Sequence, residues 1–221
     1  MNMRHTFSQK LLRTLLLGSL ALIYANAIAQ PLDPAVVPSS TASDAGMTDR
    51  VSPRYLLMGT NGRAVRSEDF RERFQLIAFG YVSCPDVCPT TMSEMQQVLA
   101  ALGPRADRLQ PIFITIDPQR DTLEVLKAYA ANFDPRILGM TGSEALVRFT
   151  ANNFKVVYTK VQEPGAGPNV YTMDHTAGMF LLGPDGQLLK KFGYSTPVKD
   201  ITQEIEKWMA EDAKLDHQVK K

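Results

Sequence analysis

Residues 75–81 read QLIAFGY, a continuous apolar run that predicts a buried central strand. The two cysteines of the chain follow directly, in the segment Cys84-Pro85-Asp86-Val87-Cys88-Pro89. From residue 90 to residue 102, apolar side chains recur at helical spacing, and Gly103 then ends the pattern. A buried strand, a turn that carries both cysteines and a helix therefore succeed one another, and this unit decides the fold.

The same alternation of strand and helix patterns continues along the chain. Predicted strands lie at residues 55–58, 110–116, 137–140, 154–161, 179–182 and 187–192. Predicted helices lie at residues 122–133, after Ser143 as an N-cap, and at residues 197–209. Pro184-Asp185-Gly186 marks a hairpin turn between the last two strands. This order predicts an α/β domain with a central mixed β-sheet and helices on both faces, as in the thioredoxin-like group.

The composition excludes several classes of protein. The 221 residues include 24 Lys and Arg against 23 Asp and Glu. Because these charges nearly cancel, the chain has no excess of positive charge to bind a phosphate backbone, and we expect no binding to nucleic acid. Two cysteines are too few for a four-cysteine zinc site or a disulfide scaffold. Only one long uncharged apolar stretch is present, which excludes a polytopic membrane protein.

That apolar stretch lies near the N-terminus and has the pattern of an export signal. Three positive residues, Arg4, Lys10 and Arg13, precede an apolar run over residues 14–24. Ala27-Ile28-Ala29 is then a small-x-small cleavage sequence. We therefore expect a signal peptide that is cleaved after residue 29 and a periplasmic protein. An uncleaved membrane anchor that leaves the domain facing the periplasm is the alternative.

The remaining chain divides into a linker, a folded domain and a tail. Residues 30–50 are rich in Pro, Ser, Ala, Thr and Asp without an apolar period, which predicts a flexible linker. The folded domain is expected over residues 51–212. Residues 213–221 are expected to be a polar tail.

The placement of the cysteine pair favours a functional role over a structural disulfide. Residues at the carboxyl end of a strand in an open α/β sheet occupy the usual functional edge. The following helix N-terminus favours a thiolate, which raises nucleophilicity and metal affinity. A disulfide between the two cysteines would stabilise the fold little. Closing a loop of about five residues contributes roughly 2 kcal/mol to stability, against about 4.7 kcal/mol for a loop near 100 residues.

The spacing of Cys84 and Cys88 leaves two functional interpretations open. Positions four apart in a helical turn hold their β-carbons about 5–6 Å apart, whereas a relaxed disulfide needs about 3.5–4.5 Å. Pro89 disfavours helical geometry at Cys88, which would let the loop tighten and oxidise. The three intervening residues also leave room between the sulfurs for a single soft metal ion.

Two histidines follow the expected cleavage site. His217 lies in the polar tail, where a solvated side chain is expected. His175 lies in the segment Tyr171-Thr172-Met173-Asp174-His175-Thr176, shortly before the strand predicted at residues 179–182. Taken alone, a single histidine is more often structural or exposed than a metal ligand.

Three motifs, in this order along the chain, resemble the Sco/SenC family. They are the Cys84-to-Pro89 segment after an apolar strand, Asp117-Pro118-Gln119-Arg120-Asp121-Thr122 after the next strand, and Asp174-His175 before the Pro-Asp-Gly hairpin. Members of this family are copper-binding proteins of thioredoxin fold that are linked to cytochrome c oxidase assembly. The resemblance covers residues 51–209. It implies that Cys84, Cys88 and His175 bind one copper ion, as Cu(I) and also as Cu(II), because soft thiolates select Cu(I) and imidazole tolerates both states.

The resemblance implies a periplasmic copper chaperone. Its partner would be a cytochrome c oxidase subunit or another copper-carrying periplasmic protein, with membrane contact only through that client. The alternative is a thiol–disulfide reductase, in which one of Cys84 and Cys88 attacks and the other resolves. Such a reductase would act on the copper-ligand cysteines of the oxidase or in general redox homeostasis.

Several neighbouring residues are secondary candidates. Asp86 and Asp174 stand beside the three expected ligands and would tune them or dock a partner, while turn and capping roles are the alternatives. Asp117 and Arg120 are expected at the same sheet edge, and Asp121 is expected to be the N-cap of the following helix. Met92, Met95 and Met179 are expected to pack in the core rather than bind copper, and Met173 is left open.

Overall fold

The computed structural model describes residues 51–167 and 170–219, with the side chains of residues 216–219 excepted. All of these residues belong to one compact unit, Gly46–Lys221. The predicted signal peptide, the predicted linker and the His217 side chain lie outside the described residues, so these three predictions stay predictions. Among the described helices, none combines the length and apolarity that crossing a membrane requires.

Two sheets and four α-helices make up the described domain. The strands are β1 (Leu56–Gly59), β2 (Ala64–Arg66), β3 (Phe74–Gly80), β4 (Leu109–Thr115), β5 (Leu138–Thr141), β6 (Tyr158–Val161), β7 (Thr172–His175), β8 (Met179–Leu182) and β9 (Leu188–Phe192). The helices are α1 (Val87–Leu102), α2 (Leu123–Ala131), α3 (Glu144–Asn153) and α4 (Val198–Val219), with 3₁₀ turns at Ser67–Phe70 and Gly103–Arg108.

The larger sheet is mixed, as predicted. Its spatial order is β2-β1-β5-β4-β3-β8-β9. Strand β3 pairs in parallel with β4, which pairs in parallel with β5. The flanking pairs β3–β8, β8–β9, β1–β5 and β1–β2 are antiparallel. Strands β6 and β7 form a separate two-stranded antiparallel sheet, which we call the ribbon.

Strand β3 is the centre of the core, because all of its residues are buried. Its side chains alternate between the two faces of the sheet. Leu76 and Ala78 pack with buried residues of α1, α2 and α4, whereas Ile77 and Phe79 pack with buried residues of α3. Helices therefore cover both faces, which confirms the predicted fold class. Met92 and Met95 of α1 and Met179 of β8 are buried in this core, as predicted.

Several elements differ from the sequence-based expectation: α1 begins at Val87 rather than at residue 90, and β2 was not predicted. The strand predicted at residues 154–161 is confined to β6, because Phe154 and Val156 are buried in the turn that ends α3. Helix α4 continues past residue 209 to Val219 and takes in most of the predicted polar tail. Strand β7 was not predicted, since its sequence TMDH carries no apolar period.

The connection from the ribbon to β8 requires a glycine. Gly178 has a φ of +119°, and a Cβ built there would lie 2.2 Å from the Phe192 carbonyl oxygen. Neither the backbone angle nor the space therefore accepts a side chain at this position.

We expect Gly178→Ala to destabilise the domain by more than the approximately 1–3 kcal/mol that an unfavourable φ costs alone, because the backbone contact adds to it. Urea unfolding followed by the fluorescence of Trp208, the only tryptophan of the chain, measures this loss. Gly186→Ala is the matched control, because its φ is +78° and its Cβ would meet nothing within 4 Å. Equal losses in the two variants would contradict the expectation.

Candidate metal centre

The two cysteines lie where β3 passes into α1. Helix α1 begins at Val87, so Cys88 stands in its first turn. The backbone N–H of Cys88 donates to Cys84 Sγ at 3.4 Å, whereas the Asp86 side chain, at the N-cap position, makes no capping hydrogen bond. The Cys84 sulfur therefore satisfies one of the N–H groups that a helix leaves unpaired at its N-terminus.

The expectation that Pro89 keeps Cys88 out of helical geometry is wrong. Pro89 is the third residue of α1. A proline is tolerated in the first turn, because its missing N–H would have no intrahelical partner there. Cys88 is helical despite the preference of a residue before proline for extended backbone.

The two thiols lie in opposite electrostatic environments. Burial acts to raise the pKa of Cys84, but the N–H groups of Asp86, Cys88 and Val87 and the Cys88 thiol lower it below its usual value overall. Cys88 is 2% exposed, and this burial raises the pKa of its thiol far above the ordinary range. Cys84 is thus the more readily deprotonated thiol of the pair.

Space for the Cys88 sulfur comes from a glycine at the end of β3. A Cβ at Gly80 would lie 2.7 Å from Cys88 Sγ and 2.8 Å from Cε2 of Phe113. A Cβ essentially never lies this close to another heavy atom, so any side chain at this position would displace the sulfur or the Phe113 ring. Gly80 therefore lets Cys88 pack directly against the central strand.

His175 reaches the cysteines from the ribbon. It ends β7, where it pairs with Tyr158 of β6. Its Nε2 lies 3.7 Å from Cys88 Sγ, and its Nδ1 lies 3.0 Å from the carbonyl oxygen of Thr176. Because a carbonyl only accepts, the second contact assigns the ring proton to Nδ1 and leaves the Nε2 lone pair facing the sulfur.

The contacts among the three candidate ligands are pairwise. Cys84 Sγ contacts the backbone of Cys88, and Cys88 Sγ contacts His175. Across residues 51–167 and 170–215, no three side chains of His, Cys, Asp and Glu form a closed ligand cluster. The structure therefore brings His175 to Cys88 and the Cys84 sulfur to the Cys88 backbone, without closing the three donors into one ligand set.

The secondary candidates lie in different places. Asp86 is exposed, and its backbone rather than its side chain faces the Cys84 sulfur. Side chains alternate along β7, so the half-buried Met173 and His175 face one side and the exposed Asp174 faces the other. The structure therefore brings neither carboxylate to the ligands. Met173 packs against the core cluster that contains Cys88.

The prediction that Asp121 caps the following helix is wrong. Thr122 is the N-cap of α2, and its side chain accepts from the Val125 N–H. Asp121 is 1% exposed and instead accepts from the Val82 N–H at 3.0 Å and from the Thr115 hydroxyl. It joins the carboxyl end of β4 to residues 81–88, which run from the end of β3 into the first turn of α1 and which we call the cysteine turn.

Tyr81 was not singled out from the sequence, because it reads as the last residue of an apolar strand. It is 2% exposed and begins the cysteine turn. Its ring meets that of His175 edge-on, with centroids 6.4 Å apart. Tyr81 therefore packs between the main sheet and the ribbon at the candidate site.

Comparison with known proteins identifies similar chains. The family model described as SCO1/SenC matches residues 43–210. The SCO2-like protein of Rickettsia felis is 35% identical over 154 residues, which cover 70% of this chain and 75% of the relative. The structure of Bradyrhizobium japonicum ScoI with copper bound is 34% identical, has a TM-score of 0.65, and covers 72% of this chain and 99% of that one.

A further similar structure is that of BsSco, in which a disulfide switch has been identified. BsSco is described as a member of the Sco family of cytochrome c oxidase assembly proteins. It is 26% identical to this chain with a TM-score of 0.56, and the match covers 72% of this chain and 92% of that one.

We expect Cys84 to be alkylated faster than Cys88 in the reduced, metal-free protein at neutral pH. Its pKa is lowered, whereas burial raises that of Cys88, so Cys84 has the larger thiolate fraction of the two. Iodoacetamide labelling at a series of pH values, with the modified cysteine located by fragment mass spectrometry, measures both rates. In urea the rates should become equal. Faster labelling of Cys88 in the folded protein would contradict the assignment.

Proposed function

This chain belongs to the SCO1/SenC family, and on that basis we propose that it is a periplasmic copper chaperone that holds one copper ion through Cys84, Cys88 and His175. Its client is the copper-binding subunit of cytochrome c oxidase. The observation that carries the proposal is the 3.7 Å approach of His175 Nε2 to Cys88 Sγ, two residues separated by 87 positions in the chain.

The donor set suits copper. Two thiolate sulfurs are soft ligands that select Cu(I), and an imidazole nitrogen is compatible with either copper oxidation state. The copper-bound structure of the Bradyrhizobium relative supports the same cargo for this chain. Because burial raises the pKa of Cys88, loading must displace the proton from this thiol, so copper affinity rises with pH.

The exposure of the three residues suggests how the ion leaves. Cys88 is buried, whereas Cys84 and His175 are half-buried. In the proposed transfer, the client's own ligands replace Cys84 and His175 first, while Cys88 holds the ion until the exchange is complete. Such stepwise exchange avoids releasing the ion into solvent.

Thiol–disulfide reduction is the second candidate, and the opposite pKa shifts of the two cysteines favour it. The Cys84 thiolate would attack a client disulfide and release one client thiolate, which takes up a proton. Cys88 would then lose its proton and attack the mixed disulfide. The client gains two thiols, and the chain is left with a Cys84–Cys88 disulfide. His175 has no necessary part in this reaction.

Titration of the reduced full chain with Cu(I), in competition with a chromogenic chelator, separates the two functions. The chaperone proposal predicts one equivalent in the wild type. Loss of a ligand should weaken binding at least as much as loss of an orienting partner, so we expect a decrease of at least about 10–100-fold for His175→Ala and for Cys88→Ser.

His217→Ala is the matched control, since it removes a histidine from the predicted polar tail and should leave the affinity unchanged. The disulfide reductase activity of the same variants is measured in parallel. Unchanged copper affinity in His175→Ala, together with rapid disulfide reduction, would replace the chaperone proposal with the reductase.

A further inference from the structure

The strand that carries His175 has little backbone support from the rest of the domain. Within the part of the chain that the structure describes, β7 pairs with β6 and neither strand joins the larger sheet. A two-stranded antiparallel sheet is marginally stable by itself. The distance between His175 and Cys88 therefore depends on side-chain contacts that fasten the ribbon to the domain.

Tyr158 and Met173 of the ribbon pack against the core, and several polar contacts are made at Tyr171, immediately before β7. The Tyr171 hydroxyl donates to Asp117 Oδ1 at 2.8 Å, and Arg120 Nη1 donates to the Tyr171 carbonyl oxygen at 3.0 Å. The Arg120 guanidinium also lies 3.6 Å from the centroid of the Tyr171 ring. Both the backbone and the side chain of Tyr171 are thus held by the turn that follows β4.

Arg120 is itself held in place. Its Nε donates to Asp117 Oδ2, and the two side chains are 21% and 4% exposed. The guanidinium also lies 5.7 Å from the centroid of the Tyr81 ring. One arginine therefore contacts the carboxylate, the ribbon and the aromatic residue that packs against His175. A lysine could not make these contacts together, because it lacks the planar, multidentate guanidinium.

The same turn also holds the cysteines. Asp121 accepts from the backbone N–H of Val82, two residues before Cys84. Residues 117–121 thus contact the cysteine turn through Asp121 and the ribbon through Asp117 and Arg120. This one segment therefore connects the part of the chain that carries the sulfurs with the part that carries the imidazole.

We propose that Asp117 and Arg120 are positioning residues that hold the ribbon through Tyr171 and so keep His175 beside Cys88. The inference rests on the proposed copper site, to which it adds the residues that hold the third ligand in place. Without them, the ribbon moves away from the cysteine turn and the imidazole no longer contacts Cys88.

The first test needs no copper. In the reduced, metal-free full chain, nuclear Overhauser contacts between the rings of Tyr81 and His175 report the position of the ribbon. We expect these contacts in the wild type and their loss in Arg120→Ala, while the contacts between Ile77 and Phe180 across β3 and β8 remain. Persistence of the Tyr81–His175 contacts in Arg120→Ala would overturn the proposal.

Lys160→Ala is the matched control. Lys160 Nζ lies 3.7 Å from the centroid of the same Tyr171 ring, but the residue belongs to β6 and cannot fasten the ribbon to the domain. This variant should keep the Tyr81–His175 contacts. Tyr171→Leu is a second disrupting variant, and because Tyr171 is only half-buried, we expect the variant to fold. Like Arg120→Ala, it should lose the Tyr81–His175 contacts. Loss of the contacts in Lys160→Ala, or their retention in Tyr171→Leu, would count against the proposal.

The second test is a double-mutant cycle on Cu(I) affinity. Arg120→Ala should weaken binding by about 10–100-fold in the wild-type background. It should weaken binding no further in the His175→Ala background, because a residue that acts through His175 has nothing left to position. Arg120→Lys should not restore the affinity.

The outcomes separate this inference from the proposed function. An equal loss of affinity from Arg120→Ala in both backgrounds would overturn the positioning role, even if copper binding itself is confirmed. An unchanged affinity in the single variant His175→Ala would overturn the proposed ligand set. In that case the ring contacts in the metal-free protein would still decide whether Arg120 holds the ribbon.

Discussion

The candidate site depends on one short turn at the carboxyl end of β4, residues 117–121. Its two carboxylates are buried, with Asp117 4% and Asp121 1% exposed. Buried carboxylates are costly unless they are hydrogen-bonded, and here the partners come from different parts of the chain. Asp121 accepts from the cysteine turn, and Asp117 accepts from Arg120 and Tyr171. These hydrogen bonds join the cysteine turn and the ribbon to the same edge of the sheet.

The two kinds of donor are supported differently. The cysteines lie between the fully buried strand β3 and the first turn of α1, so the central packing of the domain fixes their position. His175 stands on a two-stranded ribbon that side chains hold in place. Segments with few backbone links to the core open at lower free energy than the core does. In the proposed copper transfer, this difference lets the imidazole move away from the ion while the buried Cys88 still holds it.

Elements that rest on strong local patterns were predictable, and those that rest on distant contacts were not. The apolar runs of β3 and β4 and the Pro184-Asp185-Gly186 turn identify the central sheet from the sequence. Strand β7 carries no apolar period, so only its pairing with β6 defines it. Asp121 faces inward and accepts from the Val82 N–H, which is distant in sequence, so Thr122 rather than Asp121 caps α2. The approach of His175 to Cys88 followed from the resemblance to a family, since no local pattern links residues 87 positions apart.

X-ray absorption spectroscopy of the full chain loaded with Cu(I) counts the sulfur and nitrogen ligands of the metal and so tests the proposed ligand set. We expect two sulfur donors and one nitrogen donor in the wild type, with the nitrogen contribution absent from His175→Ala. Sulfur-only coordination in the wild type would contradict it, as would a nitrogen contribution that persists in the variant.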